Sequence, residues 1–287
     1  MEQKDYLSNS QISTYHSCPH KYYLSYIKDL PYYSSNIFSI FGTAMHETLQ
    51  TYLKTMFNET IKKADSLPLE KMLQDEMIKA FKEAKANGEK DICTLDEIKE
   101  AYLDGIEIIN YFLKKRRKYF TTKQYELLAI EEELIVPITE HIKFKGYLDV
   151  VLKDRQTGHI KIIDLKTSYN GWKDKKKKKV ATRQQLIFYK DFYSKKFNVP
   201  LENIDIEYLI LKRKVYAESD WPIPRMQTFT PPSSKRTIEQ YEKLITEMID
   251  DVFDESGQRI DKEYPTRKSA ENCKYCPYKK TKDCPEW

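Results

Sequence analysis

Residues 146–167 read GYLDVVLKDRQTGHIKIIDLKT, with an apolar run near each end and the turn-forming pair Thr157-Gly158 between them. Two apolar runs joined by a short polar turn predict an antiparallel β-hairpin. If the turn is centred between positions 156 and 157, positions whose numbers sum to 313 face each other. Asp149 then lies directly opposite Asp164.

Two opposed carboxylates destabilise a strand pair unless a cation lies between them. Hard oxygen ligands favour Mg²⁺ or Mn²⁺, which lowers the pKa of a bound water and neutralises charge on a phosphate. Alternate residues of a strand share a face, so Lys166 projects beside Asp164. The lysine could orient the attacking water, deprotonate it or stabilise the transition state. An exposed hairpin with an ordinary acid and lysine is the alternative to this hydrolytic site.

Six short motifs follow one another along the chain. They are Ser8–Tyr22, Gly42–Leu49, Asp149, Asp164-Leu165-Lys166, Gln185–Tyr189 and a terminal group formed by Cys273, Cys276 and Cys284. Their order and approximate spacing resemble the PD-(D/E)XK nuclease superfamily. The resemblance is to its RecB-like branch, which includes CRISPR-associated exonucleases with a four-cysteine iron-sulfur cluster.

This resemblance implies roles for individual residues. The implied metal ligands are His46, Asp149, Asp164 and the backbone carbonyl of Leu165. It makes Lys166 the catalytic lysine and places Gln185 and Tyr189 against the substrate strand. From the residues alone, His46 lies on the apolar stripe of a predicted helix and could be a core histidine. Gln185 and Tyr189, one helical turn apart, could equally be a partly buried polar pair.

The chain has five cysteines, no apolar run long enough for a membrane span and a polar N-terminus without a signal peptide. An intracellular, cytoplasmic protein is expected, in which Cys273, Cys276 and Cys284 indicate a metal site and not disulfides. The resemblance assigns the fourth ligand to Cys18 and favours a [4Fe-4S] cluster, while Zn²⁺ remains an alternative. Seven residues separate Cys276 from Cys284, a longer spacing than is usual in that branch. Cys93 is expected to be a buried thiol.

The formal charge of +5 arises from 49 basic and 44 acidic residues, so any nucleic-acid surface must be local. One candidate is a run of five lysines between the hairpin and the Gln185 helix: Lys175, Lys176, Lys177, Lys178 and Lys179. These ammonium groups are predicted to overhang the site and bind DNA phosphates in a salt-dependent manner. A solvated loop is the alternative.

The chain is predicted to have an α/β fold, with a central mixed β-sheet flanked by helices, as in a restriction-endonuclease-like core. Three segments form one intertwined unit: a helical region over 1–125, a nuclease core over 126–230 and a helix with a cysteine-stapled tail over 231–287. Predicted helices cover 7–30, 43–57, 68–86, 95–119, 182–197 and 238–252. Predicted strands cover 127–138, 142–153, 159–167 and 204–212.

The sequence therefore predicts a metal-dependent deoxyribonuclease. The resemblance favours an exonuclease that acts on single-stranded DNA or DNA ends in recombination, repair, phage replication or CRISPR adaptation. No helicase motif is present, so unwinding would need a helicase or a recombination or CRISPR partner protein. The alternatives are a non-catalytic nucleic-acid-binding or assembly subunit with a vestigial site, and a site-specific endonuclease or junction resolvase.

Overall fold

A computed structural model describes residues 6–31, 34–215 and 223–285. Its centre is a six-stranded mixed sheet. The strands are β1 (Tyr6–Leu7), β2 (Tyr125–Pro137), β3 (Lys143–Asp154), β4 (Ile160–Ser168), β5 (Ile204–Lys212) and β6 (Met226–Phe229). Helices flank this sheet, which confirms the predicted α/β class.

Helices occupy most of the rest of the described chain. They are α1 (Asn9–Ser17), α2 (Pro19–Tyr22), α3 (Ile37–Asn58), α4 (Ile61–Asp65), α5 (Leu69–Ala86), α6 (Leu95–Lys115), α7 (Asp174–Lys177), α8 (Val180–Phe197), α9 (Lys235–Val252) and α10 (Ala270–Cys273). A π-helical turn over Tyr23–Ile27 and 3₁₀ turns over Arg116–Lys118 and Leu201–Asn203 complete them. Among the described residues, no helix is both long and apolar enough to cross a bilayer.

The register of the hairpin is the one predicted. Val150 pairs with Ile163 and Lys153 with Ile160 in the antiparallel β3–β4 ladder, and both sums are 313. The chain leaves β4, forms α8 and enters β5, and β5 pairs in parallel with β4. This crossover places α8 over one face of the sheet.

One edge of β3 contains a gap. β2 pairs along the whole of its other edge, from Tyr125 with Asp154 to Pro137 with Lys143. On the gapped edge, β1 pairs only with positions 143 and 144, and β4 only with positions 150 to 153. Positions 145 to 149 of β3 therefore face an opening between β1 and β4.

The two faces of the sheet carry separate apolar clusters. Ile162 and Ile210 pack into a cluster with residues of α1, α8 and α9. Ile163, Leu165 and Leu209 point to the opposite face and pack with α3, α5 and α6. Alternation along β4 and β5 accounts for this division. It also puts Asp164 and Lys166 on the α8 side.

Several sequence predictions need correction. The helix predicted over 7–30 is interrupted, because Pro19 lacks the amide that would continue α1 and instead begins α2. The short strands β1 and β6 were missed, since two and four residues carry little periodicity. Part of the predicted lysine loop forms the single turn α7. Cys93 is half-buried and not fully buried.

Candidate active site

The two predicted acids meet where the β3–β4 ladder ends. The last ladder pair is Val150 with Ile163, one position before Asp149 and Asp164 would pair. Asp149 instead accepts a hydrogen bond at Oδ2 from the backbone N–H of Leu165, at 2.7 Å. Its carboxylate thus bridges the two strands at the inner end of the gap in the sheet.

Asp164 is 1 % exposed, and Lys166 lies beside it. Nζ of Lys166 is 2.7 Å from Oδ2 of Asp164, which makes an ion pair. Neither carboxylate oxygen of Asp164 accepts a hydrogen bond of normal geometry from the described residues. Lys166 compensates part of this buried charge, and Oδ1 of Asp164 has no partner of its own among the described residues.

His46 reaches the same point from α3. Its Nδ1 lies 3.6 Å from Oδ2 of Asp149, and its ring contacts the Leu165 backbone. Asn36 caps the first turn of α3 through its side chain and sets where the helix begins. The structure therefore brings together His46, Asp149, Asp164 and the Leu165 backbone, the four groups that the family resemblance implies as metal ligands.

Burial dominates the electrostatics of this cluster. Burial raises the pKa of Asp149 and that of Asp164 each to about 6, although the Lys166 charge opposes the shift at both sites. Burial, followed by the charge of Lys166, lowers the pKa of His46, which favours the neutral imidazole that binds metals. For Lys166, burial is outweighed by the Asp164 and Asp149 carboxylates, which raise its pKa. Lys166 is therefore an ammonium group.

The donor set fits a divalent cation. Two carboxylates, a neutral imidazole and a backbone carbonyl are ligands for Mg²⁺ or Mn²⁺. Oδ1 of Asp164, which has no partner among the described residues, is the oxygen available to such an ion. Across residues 6–31, 34–215 and 223–285, no three His, Cys, Asp or Glu side chains already stand at a mutual spacing that would hold a metal.

A groove of about 620 Å³ opens beside Asp149. Its lining comes from the N-terminal end of α1, from the β3 gap and from α8. Nε2 of Gln185 donates to the hydroxyl of Tyr189 at 3.0 Å, and both side chains line the groove. Gly146 makes this possible, because a Cβ there would lie 2.6 Å from Cε1 of Tyr189. The predicted Gln185–Tyr189 pair therefore faces the space next to the acids.

The predicted lysine run divides into different environments. Lys176 lies over the Trp172 ring, 4.6 Å from its centroid, and burial, followed by the charge of Lys166, lowers the pKa of Lys176. The effect of the Lys166 charge indicates that the two ammonium groups face a common space. Lys179 forms an ion pair with Glu271 of the tail. By solvent accessibility Lys175, Lys176 and Lys178 are all exposed.

Sequence reasoning missed two residues of the site, Gln50 and Glu131. Gln50 is 4 % exposed and lies one helical turn after His46 on α3. Its Nε2 donates to Oε2 of Glu131 at 2.8 Å and reaches the carbonyl oxygen of Asp149 at 3.4 Å. The sequence offers one indication of this role for Gln50. It carries an amide on an otherwise apolar helix face, four residues after the candidate ligand His46.

The four predicted cysteine ligands line one small cavity of about 20 Å³: Cys18, Cys273, Cys276 and Cys284. The backbone N–H of Arg267 donates to Sγ of Cys18 at 3.4 Å. Burial, followed by the neighbouring Cys276, raises the pKa of Cys284. The four cysteines therefore share one cavity, although across the described residues no three of them stand at the spacing of metal ligands.

Hydrogen bonds join the two ends of the chain around this cavity. Nδ2 of Asn272 donates to the carbonyl of Ser17 at 2.7 Å, and the backbone N–H of His20 donates to the carbonyl of Pro265 at 3.2 Å. Nε2 of His20 also lies 2.9 Å from the carbonyl of Asp283. The cysteine-bearing tail therefore docks on the α1–α2 junction.

One of three comparisons with known proteins identifies a family. A family model described as PDDEXK_1, PD-(D/E)XK nuclease superfamily, matches residues 6–281. No curated protein matches the chain. Among the solved structures that match, the one titled "Crystal structure of SSO0001" is 13 % identical over 97 % of this chain and 85 % of that chain, with a TM-score of 0.35.

Proposed function

The chain belongs to the PD-(D/E)XK nuclease superfamily, and we propose that it is a metal-dependent deoxyribonuclease whose active residues are His46, Asp149, Asp164 and Lys166. The observation that carries the proposal is the buried Asp164 carboxylate, which lies beside Asp149 and His46, pairs with Lys166 through Oδ2 and leaves Oδ1 without a partner among the described residues. A nuclease activity follows from the family. The substrate and the residue roles are our proposals.

A divalent Mg²⁺ or Mn²⁺ ion would supply charge neutralisation and a nucleophilic water at this site. His46, Asp149, Asp164 and the carbonyl of Leu165 would hold the ion. Asp149 is fixed for this purpose by the N–H of Leu165, which also ties the two strands together. These residues thus define where a phosphodiester group is attacked.

Lys166 acts as a hydrogen-bond donor in this proposal. The carboxylates around it raise its pKa, so it carries its proton at neutral pH and is a poor general base. An ammonium beside the reacting phosphate orients the water and stabilises the negative charge that develops in the transition state. Of the three roles left open by the sequence, deprotonation of the water is the least compatible with this environment.

The groove beside Asp149 favours a single strand as substrate. Its volume of about 620 Å³ lies within the ~300–1,000 Å³ range of pockets for small ligands, which is enough for a few nucleotides of one strand. Tyr6, Lys145 and Tyr147 line it, and Nζ of Lys145 lies 5.5 Å and 5.4 Å from the two ring centroids. Ring faces and a cation are the groups that hold unpaired bases and phosphates.

Lys176 lies near Lys166, so we propose that it contacts the backbone of the same strand. A groove that holds one strand beside the reacting phosphate favours an exonuclease over a site-specific endonuclease. The RecB-like assignment, a role in recombination, repair, phage replication or CRISPR adaptation, and a helicase partner belong to this proposal as well.

We also propose that Cys18, Cys273, Cys276 and Cys284 bind a [4Fe-4S] cluster, with Zn²⁺ as the alternative. Their common cavity, and the backbone N–H that points at the sulfur of Cys18, support a thiolate-bound group. Free thiols fit a reducing, intracellular compartment. A cluster there would join the N-terminal segment to the tail and make one unit of the three sequence segments.

The test is a degradation assay on single-stranded DNA labelled at either end, with circular DNA in parallel. Degradation of linear DNA that needs Mg²⁺ or Mn²⁺ and stops with a chelator is expected, while circular DNA should resist. Lys166→Met should lower the rate at least ~100-fold. Lys161→Met is the matched control on the same strand, because Lys161 pairs with Glu207 away from the acids.

Cleavage that persists in Lys166→Met, or a wild type that cuts no substrate with either metal, would contradict the proposal. The second outcome would leave a DNA-binding or assembly subunit with a vestigial site. Degradation of circular DNA at a rate equal to that of linear DNA would instead indicate an endonuclease.

A further inference from the structure

The β2–β3 pair has an irregular feature at the position of Asp149. Ladder pairs on either side join Ile130 with Val150 and Glu132 with Leu148, so Glu131 stands opposite Asp149. Glu131 has a φ of 52°, in the left-handed region that non-glycine residues rarely adopt. Of the non-glycine residues with positive φ in the described chain, it is the one inside a strand.

Both strands change face at this point. On β3, Leu148 packs in the same cluster as Val151, three positions away, although a regular strand would send them to opposite faces. On β2, Ala129 and Leu134 contact that same cluster across an odd separation of five positions. The left-handed residue therefore accompanies a bend shared by the two strands, and Asp149 lies at the bend.

Gln50 holds the bend from the helix side. Its buried amide donates one hydrogen bond to the Glu131 carboxylate, and it lies close enough to the Asp149 carbonyl for a longer second contact. Glu131 and Asp149 are opposed acids, an arrangement that destabilises a regular strand pair. The bend and the amide together let both acids remain at one place.

We propose that Gln50 and Glu131 are a positioning pair that fixes Asp149 in its ligand geometry. The pair acts through the backbone and carboxylate orientation of Asp149 and does not itself react. The proposal rests on the function proposed above. Glycine at position 131 would relieve the backbone strain, so the strain by itself does not stabilise the fold. Glu131 instead combines a strained backbone with a hydrogen bond to Gln50 beside Asp149, as is found where strain serves a functional site.

The experiment compares Glu131→Gly with Glu132→Gly. Glycine adopts a φ of 52° without strain, so Glu131→Gly should keep or raise the thermal unfolding midpoint while removing the carboxylate held by Gln50. Glu132 belongs to the regular ladder, so glycine there should lower the midpoint and leave Mn²⁺ affinity unchanged. Gln50→Leu removes the donor and keeps the apolar stem.

Isothermal titration with Mn²⁺ alone supplies a readout that is independent of cleavage. Residues that orient metal ligands typically change affinity 10–100-fold, so Glu131→Gly and Gln50→Leu should each weaken Mn²⁺ binding by roughly that factor. The cleavage rate should fall in parallel, and Glu131→Gln, which keeps an oxygen acceptor for Gln50, should recover part of both losses.

Wild-type Mn²⁺ affinity in Glu131→Gly would overturn the inference, as would a lower unfolding midpoint in that variant than in Glu132→Gly. The proposed function has its own marker in Asp164→Asn. If Asp164→Asn abolishes cleavage while Glu131→Gly is fully active, the positioning pair fails alone. If Asp164→Asn remains active, the active-site assignment fails.

Discussion

Replacing Asp164 by asparagine is expected to stabilise the metal-free protein while abolishing its activity. Asparagine has nearly the shape of aspartate but no charge to bury. Asp164 is 1 % exposed, and burial raises its pKa from 3.8 to about 6. A difference of about two pKa units corresponds to about 3 kcal/mol of free energy that opposes folding at neutral pH.

The sign of the pH dependence follows from this shift. Folding raises the pKa of this carboxyl group, so its contribution to the stability of the folded state is fully present only below the unfolded-state pKa of 3.8. That stability is lost as the pH rises through about 6. The pKa of about 6 already includes the attraction of Lys166, which lowers it, so the ion pair needs no separate allowance. The net gain at pH 7.5 should therefore be about 1–3 kcal/mol, and it should shrink by about 2 kcal/mol at pH 4.5.

The assay is urea unfolding followed by intrinsic fluorescence, with a chelator present, for wild type and Asp164→Asn at both pH values. Saturating Mn²⁺ should reverse the order, because the ion stabilises only the protein that binds it. Free-energy curves that run parallel between pH 4.5 and 7.5 would refute the reasoning. They would mean that the Asp164 carboxylate is hydrated and not held in a dry cluster.

Three further predictions concern the surroundings of the site. Gly146→Ala places a methyl group 2.6 Å from the Tyr189 ring, so the unfolding free energy should fall by about 1–3 kcal/mol and cleavage should slow; unchanged kinetics would remove Tyr189 from the site. Lys176→Ala should reduce the slope of log affinity for single-stranded DNA against log salt by ~0.7, as fluorescence anisotropy can measure, and Lys178→Ala, which is equally exposed, should reduce it less. Anaerobically purified wild type should be brown and contain iron and sulfide, Cys18→Ser should lose both, and Cys93→Ser should keep them; a colourless wild type with one equivalent of zinc would support Zn²⁺ instead.

The hairpin could be predicted in detail because its determinants are local. A turn signal and two apolar runs fix the register of β3 and β4, and the register determines that Asp149 and Asp164 meet. The long helices were also predictable, since α3, α5, α6 and α9 each bury one stripe of apolar residues. Their bounds differ from the prediction by a few residues at the ends.

The remaining features depend on contacts between distant segments. β1 is two residues long and exists because the start of the chain lies against positions 143 and 144 of β3. The left-handed conformation of Glu131 has no signature in a run of three glutamates. Gln50 is distinguished from an ordinary polar residue only by its hydrogen bond to Glu131, which lies 81 positions later in the sequence. Local periodicity contains none of this information.

The cysteine group lies between these cases. Spacing alone identifies Cys273 and Cys276 as a pair, but nothing local connects them with Cys18. The fourth position came from the resemblance to a family, and the structure places all four thiols around one cavity. What that cavity binds remains a prediction for the iron and zinc analysis.

The most direct test of the central claim is an anomalous diffraction map from a crystal soaked in Mn²⁺. The account predicts one strong peak between Asp149, Asp164 and His46, with carboxylate oxygens at about 2.0–2.2 Å from the ion and the carbonyl of Leu165 next to it. A map without a peak there, or with the ion bound only elsewhere, would contradict the assignment of this cluster as the nuclease active site.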